Sequence, residues 1–196
     1  MALISHETKD LNCKIVYYGP SLGGKTTNVK WVYDQISGVS KSKLTEFTAD
    51  PERTLKFDFL PVMAGEWRGL KVRFHLYSVP GQEVFDHRRK MLLTNTDGVI
   101  FVADSQTDRM DENIQSMKNL EKNLEQQGYD IKKVPLVLQY NKRDLENIAS
   151  VAELRAALNK YNAPDFEATA QNGEGVMESF KALSKELIKK LKGGEI

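Results

Sequence analysis

Gly19, Gly24, Lys25 and Thr26 stand in the order G-x-x-x-x-G-K-[ST] within the stretch YGPSLGGKTTN at 18–28. Those residue types at that spacing wrap a polyphosphate. A strand-like run, Lys14–Tyr18, leads into the loop, and a helical pattern, Thr26–Ile36, leads out of it. In that setting successive backbone N–H groups turn inward on phosphate oxygens, and the helix N-terminus adds its positive dipole end. The expected cradle is Gly19, Leu22, Gly23, Gly24, Lys25, Thr26 and Thr27. Gly24 lets the backbone approach closely, and Lys25 brings a mobile positive charge to the β- and γ-phosphates. The Thr26 hydroxyl can ligate Mg²⁺. The pattern points to a nucleoside phosphate and leaves the base open.

The base is addressed far downstream, in LQYNKRDL at 138–145, where Asn141, Lys142 and Asp144 form N-K-x-D directly after an apolar run. Guanine presents two neighbouring donors, the ring N1–H and the exocyclic amine, and one carboxylate can accept from both. Adenine would leave Asp144 desolvated against a lone pair, a penalty of several kcal/mol. The Lys142 methylenes can lie along the ring, and Asn141 can tie this loop to the phosphate loop. EATAQNGEGV at 167–176 follows another strand pattern, so Thr169 and the Ala170 backbone are placed to support the base. The bound species expected are GTP and GDP with Mg²⁺.

These loops need strand ends to hold them. Strand patterns fall near Lys14–Tyr18, Arg53–Pro61, Leu70–Ser78, Gly98–Asp104, Pro135–Tyr140 and Phe166–Thr169. KIVYY, GVIFVAD and PLVLQY are nearly continuous apolar runs, as expected of strands covered on both faces by helices. LKVRFHLYSV alternates more, which predicts a position nearer an edge or facing a partner. PVMAGEWRGL, with glycines at 65 and 69, reads as a hairpin that inserts one antiparallel strand into a mostly parallel sheet. Apolar residues at three- and four-residue steps predict helices over 110–127 and 175–192 with their stripes facing the core.

Bulk properties narrow the setting. The chain has 196 residues, which fits one domain spanning 1–196. A formal net charge of +1 gives no electrostatic case for nucleic acid as a partner. The one cysteine, Cys13, is expected to be a buried small side chain in a reducing compartment. No apolar run reaches the roughly 20 residues of a membrane span, and neither end carries a lipidation signal. The expectation is a cytoplasmic protein, monomeric on its own, that reaches membranes or a cell pole only through partners.

The order of phosphate loop, switch region, P-G-Q, N-K-x-D and final base loop resembles the Ras superfamily of small GTPases over essentially the whole chain. More narrowly, KIVYYGPSLGGKTTN, ERTLKFDFLP, RFHLYSVPGQ and QYNKRD resemble the bacterial MglA polarity GTPases. The resemblance implies a Ras-like α/β fold, with a mostly parallel six- to seven-stranded sheet, one antiparallel strand and helices on both faces. It also implies Mg²⁺-dependent GTP hydrolysis, control of polarity and surface motility, GTP-dependent effectors, and stimulation by a roadblock-type MglB dimer that donates no arginine. Segments 45–56 and 80–92 would order with GTP, and FDHRRKMLL at 85–93 would supply effector-facing groups.

The residues of hydrolysis follow the same resemblance. Gln82, after Pro80 and Gly81, is placed to orient the attacking water. Arg53 precedes Thr54, the switch threonine that senses the γ-phosphate and Mg²⁺, and can act in cis as an arginine finger worth ~10³–10⁵ in rate. Thr45 and Thr48 are rivals to Thr54. Two departures stand out. Ser78 occupies the place where most relatives carry the Mg²⁺-linked aspartate, with Asp58 and Asp104 the acids that could compensate. Ser21 stands where many relatives have glycine, and its side chain there slows hydrolysis or leaves a GTP-binding scaffold in its place.

Overall fold

The computed structural model describes residues 3–5, 9–35, 45–48, 56–80 and 86–193, with the side chains of 3–5, 45–48, 56–65 and 67 outside that description. Among the described residues eight strands form one sheet: β1 (Leu3–Ser5), β2 (Asp10–Tyr18), β3 (Thr45–Thr48), β4 (Lys56–Trp67), β5 (Leu70–Ser78), β6 (Gly98–Asp104), β7 (Leu136–Asn141) and β8 (Asp165–Glu167). They lie in the order β3-β4-β5-β2-β6-β7-β8. From β5 to β8 every pairing is parallel. β4 runs antiparallel to β5, as the hairpin pattern predicts.

Two short strands, β1 and β3, add to the six strand patterns of the sequence. β3 pairs antiparallel with β4. β1 pairs antiparallel with Asp10–Asn12 of β2. β5 fills one edge of β2 from Asp10 onward, while β6 begins only at Ile15. β1 therefore covers the stretch of the other edge that β6 leaves unpaired, removing an exposed strand edge.

The helices are α1 (Lys25–Gln35), α2 (Asp86–Leu93), α3 (Met110–Glu125), α4 (Val151–Leu158) and α5 (Val176–Gly193). Alternation along β2 divides them between two cores. Leu11, Cys13, Ile15 and Tyr17 point to the face covered by Val29 and Val32 of α1 and Phe180, Leu183 and Leu187 of α5. Val16 and Tyr18 point to the opposite face, with Leu93 of α2, Met117, Leu120 and Leu124 of α3, and Leu154 and Leu158 of α4. Each such buried side chain contributes about 1.5–3 kcal/mol relative to exposure. All seven residues of β6 and all six of β7 are buried, the result of helices on both faces. Cys13 is fully buried, and desolvation pushes its thiol up to about 12. Among the described residues, no helix is long and apolar enough to cross a membrane.

Two expectations need correction, and one helix is added to those the sequence predicts. β5 is an interior strand, between β4 and β2. Its alternation arises because Val72, Phe74 and Leu76 face the α1/α5 core while Arg73, His75 and Tyr77 form a half-exposed polar row against β2. There Arg73 Nε lies 3.1 Å from Asp10 Oδ1 as an ion pair without hydrogen-bond alignment. His75 Nε2 and Asn12 Oδ1 share a hydrogen bond of 2.7 Å, and Lys14 Nζ sits 4.9 Å over the Tyr77 ring. The hairpin turn is also tighter than the glycine spacing suggests. Only Arg68 and Gly69 connect the strands, both at positive φ (51° and 78°), the conformation of a two-residue type I′ turn. Gly65 sits instead at a register shift after Met63, where Ala64 is the extra, bulged residue. Finally, α4 is a helix that apolar periodicity alone does not reveal. It starts at a capping box, in which the Ser150 hydroxyl accepts from Glu153 N–H and the Glu153 carboxylate accepts from Ser150 N–H.

Candidate functional site

From β2 the chain proceeds toward β5 on one side of the sheet, and from β6 toward β8 on the other. The C-terminal ends of β2, β6 and β7 therefore meet at a topological switch point, where parallel α/β sheets open a crevice. The loop after β2 is the phosphate-loop motif and the loop after β7 is N-K-x-D. A cavity of about 390 Å³ lies between them, lined in part by Leu22, Gly24, Thr27, Asn141, Lys142, Asp144 and Ala170.

Backbone geometry explains the glycines. Gly19 has φ +140°, and a Cβ there would sit 2.1 Å from the Val102 carbonyl oxygen of β6. Gly24 has φ +98°, and its Cβ would sit 2.1 Å from Asn141 Nδ2. Side chains are thus barred at both places, one by the sheet and one by the base loop. Leu22 is the exception: it holds φ +60° with its side chain 83% exposed. That left-handed conformation costs about 1–2 kcal/mol for a non-glycine residue, and exposure returns no packing energy.

α1 starts at Lys25, and its first in-helix bond joins Asn28 N–H to Gly24 O at 3.0 Å. The N–H groups before Asn28 lack intrahelical acceptors and sit at the positive end of the helix dipole. The Asn28 amide also donates to Gly24 O at 3.0 Å, fixing the start of the helix. Lys25 is buried, and Nζ donates to Gly19 O at 3.0 Å and Pro20 O at 2.5 Å. Desolvation, followed by the Arg89 charge, pushes its ammonium down to about 7. A buried cation beside unpaired N–H groups is an arrangement that polyanion binding would stabilise. Thr26 is half-buried and Thr27 exposed in the same helical turn.

Asn141 joins the two loops. It is buried, its Nδ2 donates to Gly23 O at 2.8 Å, and its Oδ1 accepts from Ala170 N–H at 2.9 Å. Lys142 adopts φ +67° and donates from Nζ to Asp104 Oδ2 at 2.6 Å, which leaves its methylenes on the cavity wall. Arg143 secures the loop from outside, through Arg143 N–H to Ala168 O at 3.1 Å and Nη1 to Ala149 O at 2.7 Å. Asp144 is exposed at the cavity rim. The final loop turns on Thr169, whose carbonyl accepts from Asn172 and Gly173 N–H and whose own N–H donates to Glu174 O at 3.0 Å. Gly173 has φ +89°, and a Cβ there would lie 1.9 Å from the Trp31 ring of α1. The base loop therefore rests directly on α1.

Beneath α2, a polar cluster joins the last residue of β2 to α3. Tyr18 OH donates to Asn119 Oδ1, and Arg89 Nη1 donates to the same oxygen at 2.9 Å. Asn119 and Asn123 amides both donate to Asp86 Oδ1, at 2.6 and 2.9 Å.

The described residues bring together Gly19, Leu22, Gly23, Gly24, Lys25, Thr26 and Thr27 with Asn141, Lys142, Asp144, Thr169 and Ala170. Arg53, Thr54, Gly81 and Gln82 lie outside the described residues, as do the side chains of Thr45, Thr48 and Asp58. Asp104, one of the two acids that could compensate for Ser78, is turned to the base loop. Fully buried, it accepts from Lys142 and from Gln106 N–H and Nε2 (3.2 and 3.1 Å), which commits it to the base side. Among the described residues no group of three or more His, Cys, Asp or Glu could hold a metal ion. Gln106, Leu145 and Gln171 also line the cavity and were not singled out from the sequence. The signal for each was its position just beyond a strand end or beside a motif residue.

Comparison with known proteins agrees with this geometry. The model of the ADP-ribosylation factor family matches residues 3–187. The Mutual gliding-motility protein MglA of Myxococcus xanthus (strain DK1622) is 50% identical over 194 residues, covering 99% of this chain and all of that protein. The GTP-binding protein yptV2 of Volvox carteri is 28% identical over 80% of this chain and 74% of its own length. The human ADP-ribosylation factor-like protein 4A is 35% identical over 44% of this chain and 42% of its own. With its phosphate loop and N-K-x-D loop clasped at one switch point, the chain belongs to the ADP-ribosylation factor family of Ras-like small GTPases, as a bacterial MglA-type member.

Proposed function

We propose that this small GTPase is a molecular switch for gliding motility, with GTP and GDP held in the cavity between the phosphate loop and the N-K-x-D loop. The observation that carries this is the Asn141 clasp, which holds the phosphate-loop motif and the N-K-x-D loop, with Asp144 at the rim, around one cavity of about 390 Å³. The relative sharing half its sequence is a gliding-motility protein, and this supports the cellular role.

In this reading the N–H groups of residues 22–27 and the Lys25 ammonium bind the phosphates. Asp144 accepts from the guanine N1–H and amine, Lys142 covers the ring, and Ala170 N–H is kept in place by Asn141. Mg²⁺ keeps several waters and relies on substrate phosphates for much of its coordination, and Thr26, half-buried in the first turn of α1 beside Lys25, is the hydroxyl that a phosphate loop offers it. Thr26 Oγ1 would hold it with Thr54, and it would neutralise charge on the β- and γ-phosphates. Gln82 orients water and Arg53 contributes charge from the same chain, with a roadblock-type MglB dimer raising the rate. Effectors bind the GTP form, and those partners recruit the protein to a pole.

Single-turnover hydrolysis of bound GTP tests this, with and without the roadblock-type partner, for the natural chain and for Arg53→Ala and Gln82→Leu. The expected result is partner-accelerated turnover that both variants lose. Acceleration that survives Arg53→Ala overturns the arginine's role, and GTP left intact in every sample overturns the switch in favour of a GTP-bound scaffold.

A further inference from the structure

Arg109 has no place in the motifs above, yet its guanidinium reaches the phosphate loop. It ends the 3-10 turn Thr107–Arg109 between β6 and α3, where its N–H donates to Gln106 O at 3.0 Å. Nη1 is held by Glu112 Oε1 at 2.7 Å, and Nη2 donates to the Ser21 carbonyl at 3.1 Å. Nε lies 3.9 Å from Asp104 Oδ2, the oxygen that also accepts from Lys142. Asp104 is itself immobilised, because Asn113 accepts from its N–H at 2.9 Å and donates to its carbonyl at 2.7 Å. A fixed guanidinium therefore grips one chosen carbonyl of the loop.

The choice of carbonyl has a consequence. The Ser21–Leu22 peptide is planar and trans, so its C=O and N–H point in opposite directions. With the Ser21 oxygen drawn to Arg109, the Leu22 N–H points away from that arginine, and Leu22 itself helps line the cavity. This arrangement also requires the next residue to accept an unfavourable backbone, and Leu22 does so at φ +60°. Glycine at 22 would adopt this conformation freely. With leucine there, something outside the loop must hold it.

We propose that Arg109 is a positioning residue of the phosphate site: by holding the Ser21 carbonyl outward it keeps Leu22 left-handed and aims the Leu22 N–H at the nucleotide phosphates. The long ion pair with Asp104 extends the same support to Lys142, so one side chain braces both halves of the cavity. This rests on the phosphate reading of the cavity given above.

The test uses the full chain as Arg109→Ala, Arg109→Lys, Leu22→Gly and the Arg109→Ala/Leu22→Gly pair. Release of a fluorescent GDP analogue is timed, and the ³¹P shift of the GDP β-phosphate is recorded. Melting temperature serves as the fold control. Losing a hydrogen bond from a charged donor should speed release about tenfold in Arg109→Ala and move the β-phosphate resonance. Arg109→Lys, which keeps a cationic donor, should recover most of both effects. In the Leu22→Gly background the same arginine deletion should matter less, about threefold or under, because the loop no longer resists its conformation. A purely structural arginine would instead lower melting temperature equally in both backgrounds and leave the resonance in place. Unchanged release and resonance in Arg109→Ala, or equal effects in both backgrounds, overturn the proposal while the phosphate site stands. Failure of the natural chain to bind GDP overturns the underlying reading, and the positioning role with it.

Discussion

Lys25 makes nucleotide binding depend on pH in a way the structure sets. Desolvation and then the Arg89 charge push its ammonium down to about 7, although Gly19 and Pro20 carbonyls accept from it. Phosphates in contact with Nζ reverse this by favouring the charged form. Above pH 7 GDP binding must therefore take up a proton. With an empty-site value near 7, affinity should fall about fivefold from pH 7 to 8 and close to tenfold from pH 8 to 9. Calorimetric titration of nucleotide-free protein at pH 8, in two buffers of different ionisation heat, should report about 0.9 proton taken up per GDP. The stability of the empty protein should move the opposite way. The unfolded chain binds this proton up to about pH 10.4, the folded empty chain only to about 7, so the unfolded state holds more protons in between. Stability from this group then rises with pH across that window, and the melting-temperature gain on adding GDP shrinks. Zero proton uptake at pH 8 together with a flat affinity profile would refute the placement of Lys25 as a desolvated cation awaiting phosphate.

Three further outcomes are expected. Asn141→Ala leaves the Gly23 carbonyl and Ala170 N–H unpaired in a buried place; at about 1–3 kcal/mol per group, GDP release should quicken at least about thirtyfold, read by chase of a fluorescent analogue. Asp144→Asn replaces a double acceptor by one donor and one acceptor, so competition binding should show preference moving from guanine to xanthine nucleotides, whose C2 carries an oxygen instead of the amine. Gly173→Ala forces a methyl into Trp31 at a left-handed position, and should cost about 1–3 kcal/mol in urea unfolding; combining it with Trp31→Ala should remove the contact part of that loss and leave the backbone part.

What the sequence disclosed and what it hid divide along a physical line. The phosphate loop was legible because its glycines, lysine and threonine are all within eight residues and each answers a local requirement. Gly19 and Gly24 show why: at their positive φ any residue with a side chain is strained, whatever surrounds it. The buried strands β6 and β7 were legible as continuous apolar runs, since helices on both faces leave no reason for alternation. β5 misled for the matching reason. Its polar positions face Asp10, Asn12 and Lys14 across the sheet, so alternation recorded one uncovered face and said nothing about edges. α4 was hidden because only Leu154 and Leu158 of its eight residues are buried, too few to set a period, and its capping box was the readable sign. Arg109 shows the limit most plainly. Its partners are Ser21, Asp104 and Glu112; the last two are near neighbours in the chain, and Ser21 is the distant one. An arginine after a strand and before a helix is ordinary in composition; it becomes informative when the sheet order places β6 beside β2 and carries that arginine to a loop 88 residues away.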